Sequence, residues 1–403
     1  MNLKSFTAML LMAAFLVSAC KKKDKPGDSA HAVQEKIQAI LDNSLREQRQ
    51  LMGNKPVGMA LFIRGEKENI FATAGFPEGY GENVHFRGAS TTKTFTAAAI
   101  LKLHQEGKLN IDDHITTSIP GTATPYIPDE PSYNVPFKDA ITIRMLLAHR
   151  AGIFDVSNDN IPDTVSAPYA GLRYADYVLD HQGSDHTFTF KELIGVVAEH
   201  QLCYFAPGAS FHYSNTGYNM LATIVERVSG QSFQTYLTQN FVQPLNLTET
   251  AFPYLGTDQS LPAPYVTGWL KISNDFIEFD QDNVSIAPSE GNIITTPRDL
   301  AEWAYILYGT ETILKVPLQQ EMIQGALTND HHIRYGLGCA TEPADIGYGH
   351  DGARPAYMTV MRYHPPTKRS YVLVFNFLNV DDMDREGADM NEIIRKCIQV
   401  IEK

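Results

Sequence analysis

The sequence predicts a mixed α/β fold: one antiparallel sheet built from both chain ends and flanked by helices, with a mostly helical lobe inserted between. Two observations carry this expectation. Near the start, Val33, Ile37, Ile40, Leu41 and Leu45 recur at helical spacing, and two strand-like runs follow, Val57 to Ile63 and Asn69 to Ala74, joined at Arg64-Gly65. Near the end, Ala356 to Tyr363 and Tyr371 to Phe377 are apolar and β-rich around His364-Pro365-Pro366-Thr367, and residues 389–402 read as a closing helix. With 403 residues and 43% hydrophobic content, the chain is long enough for two lobes. The sheet lobe is expected over about 31–88 and 330–403, and the helical lobe over about 89–329, within one domain of 31–403.

In chain order, the first segment is an address. Lys4 precedes an uncharged, mostly apolar run from Ser5 to Ala19, and Val17-Ser18-Ala19 places small residues before Cys20, so residues 1–19 read as a secretory signal peptide. The run is shorter than the ~20 residues a membrane span needs. A Cys directly after small residues resembles the lipobox of bacterial lipoproteins. That resemblance implies lipidation at Cys20, a tether over 20–30 and an exported lipoprotein, membrane-anchored and facing the periplasm or cell surface. The 33 Lys+Arg against 46 Asp+Glu give a formal charge of −13, which argues against a nucleic-acid partner. Cys20, Cys203, Cys339 and Cys397 are too far apart for a zinc site or a disulfide framework. His331-His332 beside Asp330 reads as a solvated loop, so neither a metal nor another cofactor is expected.

Ser90 to Glu106 is apolar nearly all round, the pattern of a buried helix, and Gly107 ends it. At its start, Ser90-Thr91-Thr92-Lys93 places an amine one turn from a hydroxyl on the same face. A serine hydroxyl is a poor nucleophile until a neighbour takes its proton, and a helix N-terminus offers N–H groups to a developing oxyanion. By itself an S-x-x-K is weak, and a second lies across the leader at Ser18 to Lys21. The polar segment 153–187 reads as an irregular insertion beside a cleft. Tyr213-Ser214-Asn215 is the only Tyr-x-Asn in the chain and precedes a helix running from about Thr216 to Gly230. Asn215 is also a reasonable helix cap. His350-Asp351-Gly352 leads into the C-terminal β segment.

With these motifs the chain resembles the serine β-lactamase and penicillin-binding protein superfamily, in its class C-like, D-alanyl-D-alanine carboxypeptidase-like branch. Further landmarks stand in the same order: Phe86-Arg87-Gly88-Ala89-Ser90, Leu146-Leu147-Ala148-His149-Arg150-Ala151-Gly152, Phe205-Ala206-Pro207-Gly208, Thr296-Pro297-Arg298-Asp299-Leu300 and Tyr335-Gly336-Leu337-Gly338. Departures include Glu290-Gly291-Asn292, where paired glycines are common, and Asp351, where Thr is common. The resemblance implies a β-lactamase/transpeptidase-like fold and a serine hydrolase. Ser90 would be the acyl-accepting nucleophile, Lys93 and Tyr213 would share the proton work, and Asn215 would orient Lys93 and substrate. His350 would complete the cleft, and the backbone N–H groups of Ser90 and Ala353 would form the oxyanion hole. The acyl donor would be a small molecule or peptide, cell-wall peptide among them; His350 in place of a Lys favours a D-Ala-D-Ala carboxypeptidase, peptidase or esterase, with a true β-lactamase as the alternative. A binding protein or an acyl-serine sensor without turnover is the alternative of another class. The sequence has no G-x-S-x-G, H-E-x-x-H or P-loop.

Two expectations are quantitative. Ionising a phenol of pKa ~10 at neutral pH costs about 4 kcal/mol, which one ammonium at ~4 Å in an effective dielectric of ~20 offsets. Lys93 alone would thus make Tyr213 a base, with a neutral Lys93 acting directly as the other route. Asp351, Gly352 and Arg354 are expected to meet substrate. Strand alternation turns Asp351 away from His350 and leaves Arg354 on its side. Were the cleft to wrap the strand edge, an anion ~5 Å from Asp351 would meet about 3 kcal/mol of repulsion.

Overall fold

The computed structural model describes residues 26–328, 334–341 and 343–403. The leader, Cys20, Asp330, His331 and His332 lie outside the described residues. Five strands form one antiparallel sheet: β1 (Met59–Arg64), β2 (Ile70–Ala74), β3 (Tyr348–Arg354), β4 (Tyr357–His364) and β5 (Arg369–Phe375), in the order β2-β1-β5-β4-β3. The two chain ends meet at the β1–β5 seam, with Met59 opposite Phe375 and Ile63 opposite Tyr371. The sheet from both ends that the sequence predicted is therefore present, within a mixed α/β chain.

Both faces of the sheet are covered, which is why its strands read as near-continuous apolar runs. On one face Leu61, Ile63, Leu373 and Val360 pack with Ile37 and Leu41 of helix α1 (Pro26–Leu51) and with Ile394 and Ile398 at the C-terminal end. The other face sends Phe62, Met361, Val372 and Val374 into the larger core, which holds helices α2 (Thr92–Gln105), α3 (Asn215–Ser229) and α4 (Pro297–Gly309). Although α4 falls in the segment read as helical lobe, it lies against the sheet: Ser370 donates to the Ala301 carbonyl at 2.5 Å. Its start follows from local chemistry, Thr296 accepting from the Asp299 N–H with Pro297 at the first turn.

Helix α2 runs through the middle of the molecule. Phe95 stacks on Trp303 of α4 at 3.7 Å between ring centroids. Two of its buried threonines are satisfied within their own turns, Thr92 donating to Ala89 O at 2.7 Å and Thr94 to Thr91 O at 2.7 Å, while Thr96 donates to Ser289 O at 2.5 Å. These bonds let a polar sequence sit inside a core.

Three elements differ from expectation. The closing helix, α5 (Met383–Ile401), begins six residues before 389. Asp384-Arg385-Glu386-Gly387 hides its apolar period, although the buried Glu386 carboxylate accepts the Asn379 N–H at 3.0 Å. The polar segment 153–187 contains a helix, Tyr174–Gln182, and buries Ile153, Phe154, Val156, Ile161 and Val178. A hairpin of Gly268–Ile272 and Asp275–Phe279 pairs with Phe377–Asn379 in a second sheet, where only helix and loop were expected.

Strand β3 is an edge strand, and it approaches the turn before α2 so closely that a Cβ at Gly352 would lie 2.3 Å from the Gly88 oxygen and 3.1 Å from the Ala89 Cβ. Neither neighbour is the end of a flexible side chain. Gly352→Ala is therefore expected to destabilise by about 1–3 kcal/mol, the range for overpacking, and to displace the turn carrying Ser90. Urea denaturation and the rate of Ser90 labelling by a fluorophosphonate should both change; a variant matching wild type in both would refute this contact.

Candidate active site

Ser90 is the middle residue of a single 3₁₀ turn, Ala89–Thr91, that leads into α2, rather than the first residue of the helix proper. Ala89 adopts φ +49°, a left-handed conformation unusual for a residue with a Cβ. Three residues on, Lys93 is fully buried and its ammonium has three acceptors for three protons: Ser90 Oγ at 3.2 Å, Asn215 Oδ1 at 2.7 Å and the Glu290 carbonyl at 3.1 Å. Asn215 is free for this because Ser214, not Asn215, caps α3, its hydroxyl accepting from Gly217 N at 3.3 Å. The Lys93 Nζ also lies 4.6 Å from the centre of the Tyr213 ring and 5.4 Å from that of Tyr218.

Burial lowers the Lys93 pKa to about 8, against the opposing pull of Glu290 and Asp155. Tyr213 moves the other way. Burial holds its phenol well above the ordinary value, and the hydrogen bond with Ser90 only partly offsets this. The expectation that Lys93 turns Tyr213 into a phenolate is therefore corrected: burial is the largest influence on the phenol and, with Tyr218, Asp155 and Glu290 nearby, keeps its proton on. Of Lys93 and Tyr213, the group that loses its proton near neutrality is Lys93.

The landmark His149 positions Tyr213. Its Nδ1 accepts the Ser214 N–H at 3.0 Å, and its ring lies 4.3 Å from that of Tyr213 between centroids. His149 carries φ +55°, and burial keeps its pKa well below the ordinary value, so it remains a neutral acceptor.

The third motif is on β3. His350 is buried, its Nε2 2.9 Å from the Tyr335 hydroxyl and its Nδ1 2.6 Å from the Asp351 carbonyl. A carbonyl only accepts, so the ring proton sits on Nδ1 and Tyr335 donates to Nε2. Burial first, and the Lys93 charge second, lower its pKa to about 4, leaving it neutral. Asp351 does lie on the opposite face from His350, as alternation predicted, where it forms a bidentate ion pair with Arg362, one oxygen at 2.9 Å. Two sequence expectations change here. Asp351 is not an unpaired carboxylate facing an incoming anion, and Arg354 is not open to one, because its guanidinium binds Asp282 through two nitrogens and donates to Asn283 O at 2.9 Å. Gly352 packs on Gly88, as described. Gly349 exchanges both backbone bonds with Ala340 on the outer edge of β3, at 2.9 and 2.7 Å. By ladder alternation the Ala353 N–H also points outward, on the edge beside the Ser90 turn.

Sequence reasoning missed Glu290, Asp155 and Tyr335 as members of this site. Glu290 had a signal, an acid where small residues are the rule, and Asp155 stands in the apolar run Ile153-Phe154-Asp155-Val156. Both are 1% exposed, and burial raises both carboxyl pKa values, that of Glu290 to about 7. Tyr335 was visible only as a landmark.

A family model described as Beta-lactamase matches residues 45–393. Among solved structures, a D-stereospecific amidohydrolase from Streptomyces sp. is 26% identical, with a TM-score of 0.68 over 85% of this chain and 94% of that one. D-amino acid amidase from Ochrobactrum anthropi SV3, complexed with D-phenylalanine, superposes with a TM-score of 0.71 at 21% identity, covering 92% of this chain and 99% of the other. Among curated proteins, Protein flp of Staphylococcus aureus (strain COL) is 24% identical over 355 residues, 85% of this chain, and Penicillin-binding protein 4* of Bacillus subtilis (strain 168) is 25% identical over 319 residues, 76% of this chain. This chain spans 63% of the length of each of those two relatives.

The Asp351–Arg362 pair carries a prediction. Arg362 is fully buried while the Asp351 side chain is 46% exposed, so Asp351→Thr should cost about 1–2 kcal/mol, a buried-pair loss discounted for solvent screening. Denaturation should show that loss, while the ratio of acylation rates for carboxylate-bearing and neutral donors stays at the wild-type value. A selective gain for anionic donors would put Asp351 back in the cleft.

Proposed function

This chain belongs to the Beta-lactamase family of serine hydrolases, and from that premise we propose that it hydrolyses amides or esters through an acyl-enzyme on Ser90, as a peptidase, amidase or esterase rather than a dedicated β-lactamase. The observation that carries the reading is the Lys93 amine on Ser90 Oγ at 3.2 Å, held by Asn215 and the Glu290 carbonyl. Once neutral, Lys93 takes the Ser90 proton as Oγ forms its bond to the acyl carbon. The oxyanion develops against the N–H groups of Ser90 and Ala353. Tyr213, a protonated phenol, donates to the leaving nitrogen or oxygen as the acyl bond breaks, and Lys93 returns that proton through the shared network. Water then repeats the sequence on the ester, releasing the acid and restoring Ser90.

The donor is proposed to be neutral at the position beside the scissile carbonyl. Arg354 is committed to Asp282, Asp351 to Arg362, and His350 is uncharged. This favours amino-acid amides, peptides extending past that position, or esters over a donor recognised by its terminal carboxylate. The two amidase-type structural neighbours support a D-configured acyl group. The leader reading adds export and anchoring through Cys20; Cys20→Ser is expected to release the protein from the membrane fraction, and unchanged fractionation would oppose a lipid anchor.

Intact-mass measurement after a fluorophosphonate should show one adduct, on a peptide containing Ser90 and absent from Ser90→Ala. The kcat/KM for a p-nitrophenyl ester or a D-amino-acid amide should rise with pH through about 8, because the base form of Lys93 accumulates above its lowered pKa. Lys93→Met and Tyr213→Phe should each reduce turnover by about 10²-fold or more, with the double variant far less damaged than the product of the two losses. An adduct on another residue, or multiplicative losses, would overturn the assignment.

A further inference from the structure

We propose that Glu290 is a positioning residue for Lys93: its buried carboxyl, enclosed with Lys93 and Asp155 beneath Ser90, sets how readily the ammonium gives up the proton it must lose before it can take one from Ser90. This rests on the reading of Lys93 as the base for Ser90.

The geometry bears on it in three ways. The same residue that orients Lys93 through its backbone carbonyl, at 3.1 Å, also places its carboxyl inside the protein, where Oε1 has no hydrogen-bond partner among the described residues. A buried carboxylate oxygen left unpaired is costly, and the cost falls if the carboxyl carries a proton. Proton counting is compatible with the same state, alongside a turned Asn219 amide, whose Nδ2 as placed has no partner among the described residues. The Ser289 hydroxyl lies 2.6 Å from Glu290 Oε2 and 2.7 Å from Asn219 Oδ1, yet has one proton for two acceptors. A protonated Glu290 resolves this by donating to Ser289, which then donates to Asn219; reversing the Asn219 amide is the other solution. Finally, charge counting gives one buried ammonium facing two buried carboxyls, Glu290 and Asp155. Asp155 is the better solvated by hydrogen bonds, accepting from Ser157 N at 3.0 Å, Asn158 N at 3.2 Å and Asn158 Nδ2 at 2.9 Å. Glu290 receives only the Ser289 N–H at 2.9 Å and the contested hydroxyl. Of the two acids, Glu290 is the one placed to change charge together with Lys93.

The groups around this pair are few. Tyr213 and Tyr218 face Lys93 as protonated phenols, His149 and His350 as neutral rings, and Arg354 beyond Gly291 is balanced by Asp282. An ionised Glu290 retains the Lys93 proton; a neutral one releases it. The two titrate as a unit.

The test follows the pH dependence of Ser90 labelling by a fluorophosphonate in the full chain. Glu290→Gln keeps the size of the side chain and an acceptor for Ser289 N while removing the charge. It should move the acid limb of the rate profile to lower pH by about one unit, the low end of the shift that a nearby charge produces. Between about pH 7 and pH 8, where Glu290 is ionised in wild type and Lys93 still holds its proton, labelling would then be several-fold faster relative to the plateau, and the gain would fade below about pH 6, where Glu290 is already neutral. Ser289→Ala removes a hydroxyl that bonds the ionised carboxylate more strongly than the neutral acid and so holds the Glu290 pKa down; its loss favours the protonated acid and should move the limb the same way by less. This second variant decides the matter if Glu290→Gln does not fold. A reduced plateau with the limb unmoved in the folded variants would mean that Glu290 only shapes the loop and would overturn the proposal. Failure of wild type to label at Ser90 at any pH would instead remove the underlying reading of Lys93.

Discussion

One buried ammonium organises this protein. Taking the Lys93 charge out of water costs several kcal/mol even after relaxation, and the fold meets that cost with one neighbouring acceptor and two from distant parts of the chain. Ser90 lies one turn away on the same element, Asn215 is the first residue of α3, and the Glu290 carbonyl belongs to the loop ahead of α4. None of these pairs is local except the first. The ammonium is satisfied only when α2, α3 and that loop are packed together, so the site is a property of the completed core rather than of the S-x-x-K motif.

The sheet supplies the opposite wall by a different device. Strand β3 is an edge, and an edge with outward N–H groups would ordinarily invite strand pairing. Here the glycine at 352 lets that edge close onto the Gly88 carbonyl, which brings the Ala353 N–H beside the turn that carries Ser90. The ion pairs around β3 hold this arrangement in place. Arg362 anchors Asp351 on the far face, and Arg354 ties the strand to Asp282 in the loop that continues to Glu290. Charges that the sequence offered as substrate contacts are thus used to fix the strand and the loop.

What was legible in the sequence follows from this division. The paired chain ends were visible because strands covered on both faces leave uninterrupted apolar runs, and Ser90, Lys93, Tyr213 and Asn215 were visible because short motifs preserve their spacing. The β hairpin at 268–279 was not, since its strands are half exposed and lack such a run. The partners of Asp351 and Arg354 were hidden for another reason. Asp282 is 72 residues from Arg354 in sequence, and Arg362 sits on the next strand, so only the sheet register and the loop path bring them together. The direction of the Tyr213 shift was missed because a pairwise Coulomb estimate contains no burial, and burial is the larger effect here.

The electrostatics near Ser90 therefore centre on one titrating pair, Lys93 with Glu290, among many fixed dipoles. His350 is neutral, the two arginines nearest β3 and its loop are each paired, and both tyrosines over Lys93 keep their protons. Such a site gains little by binding a charged group in the ground state. In the proposed acyl-enzyme route its favourable field is reserved for the charge that appears during reaction, on the acyl oxygen beside backbone N–H groups and on Lys93 as it becomes an ammonium again. Interactions strengthened only in the transition state raise turnover rather than affinity. Selection among donors must then come from shape and from hydrogen bonds along the β3 edge.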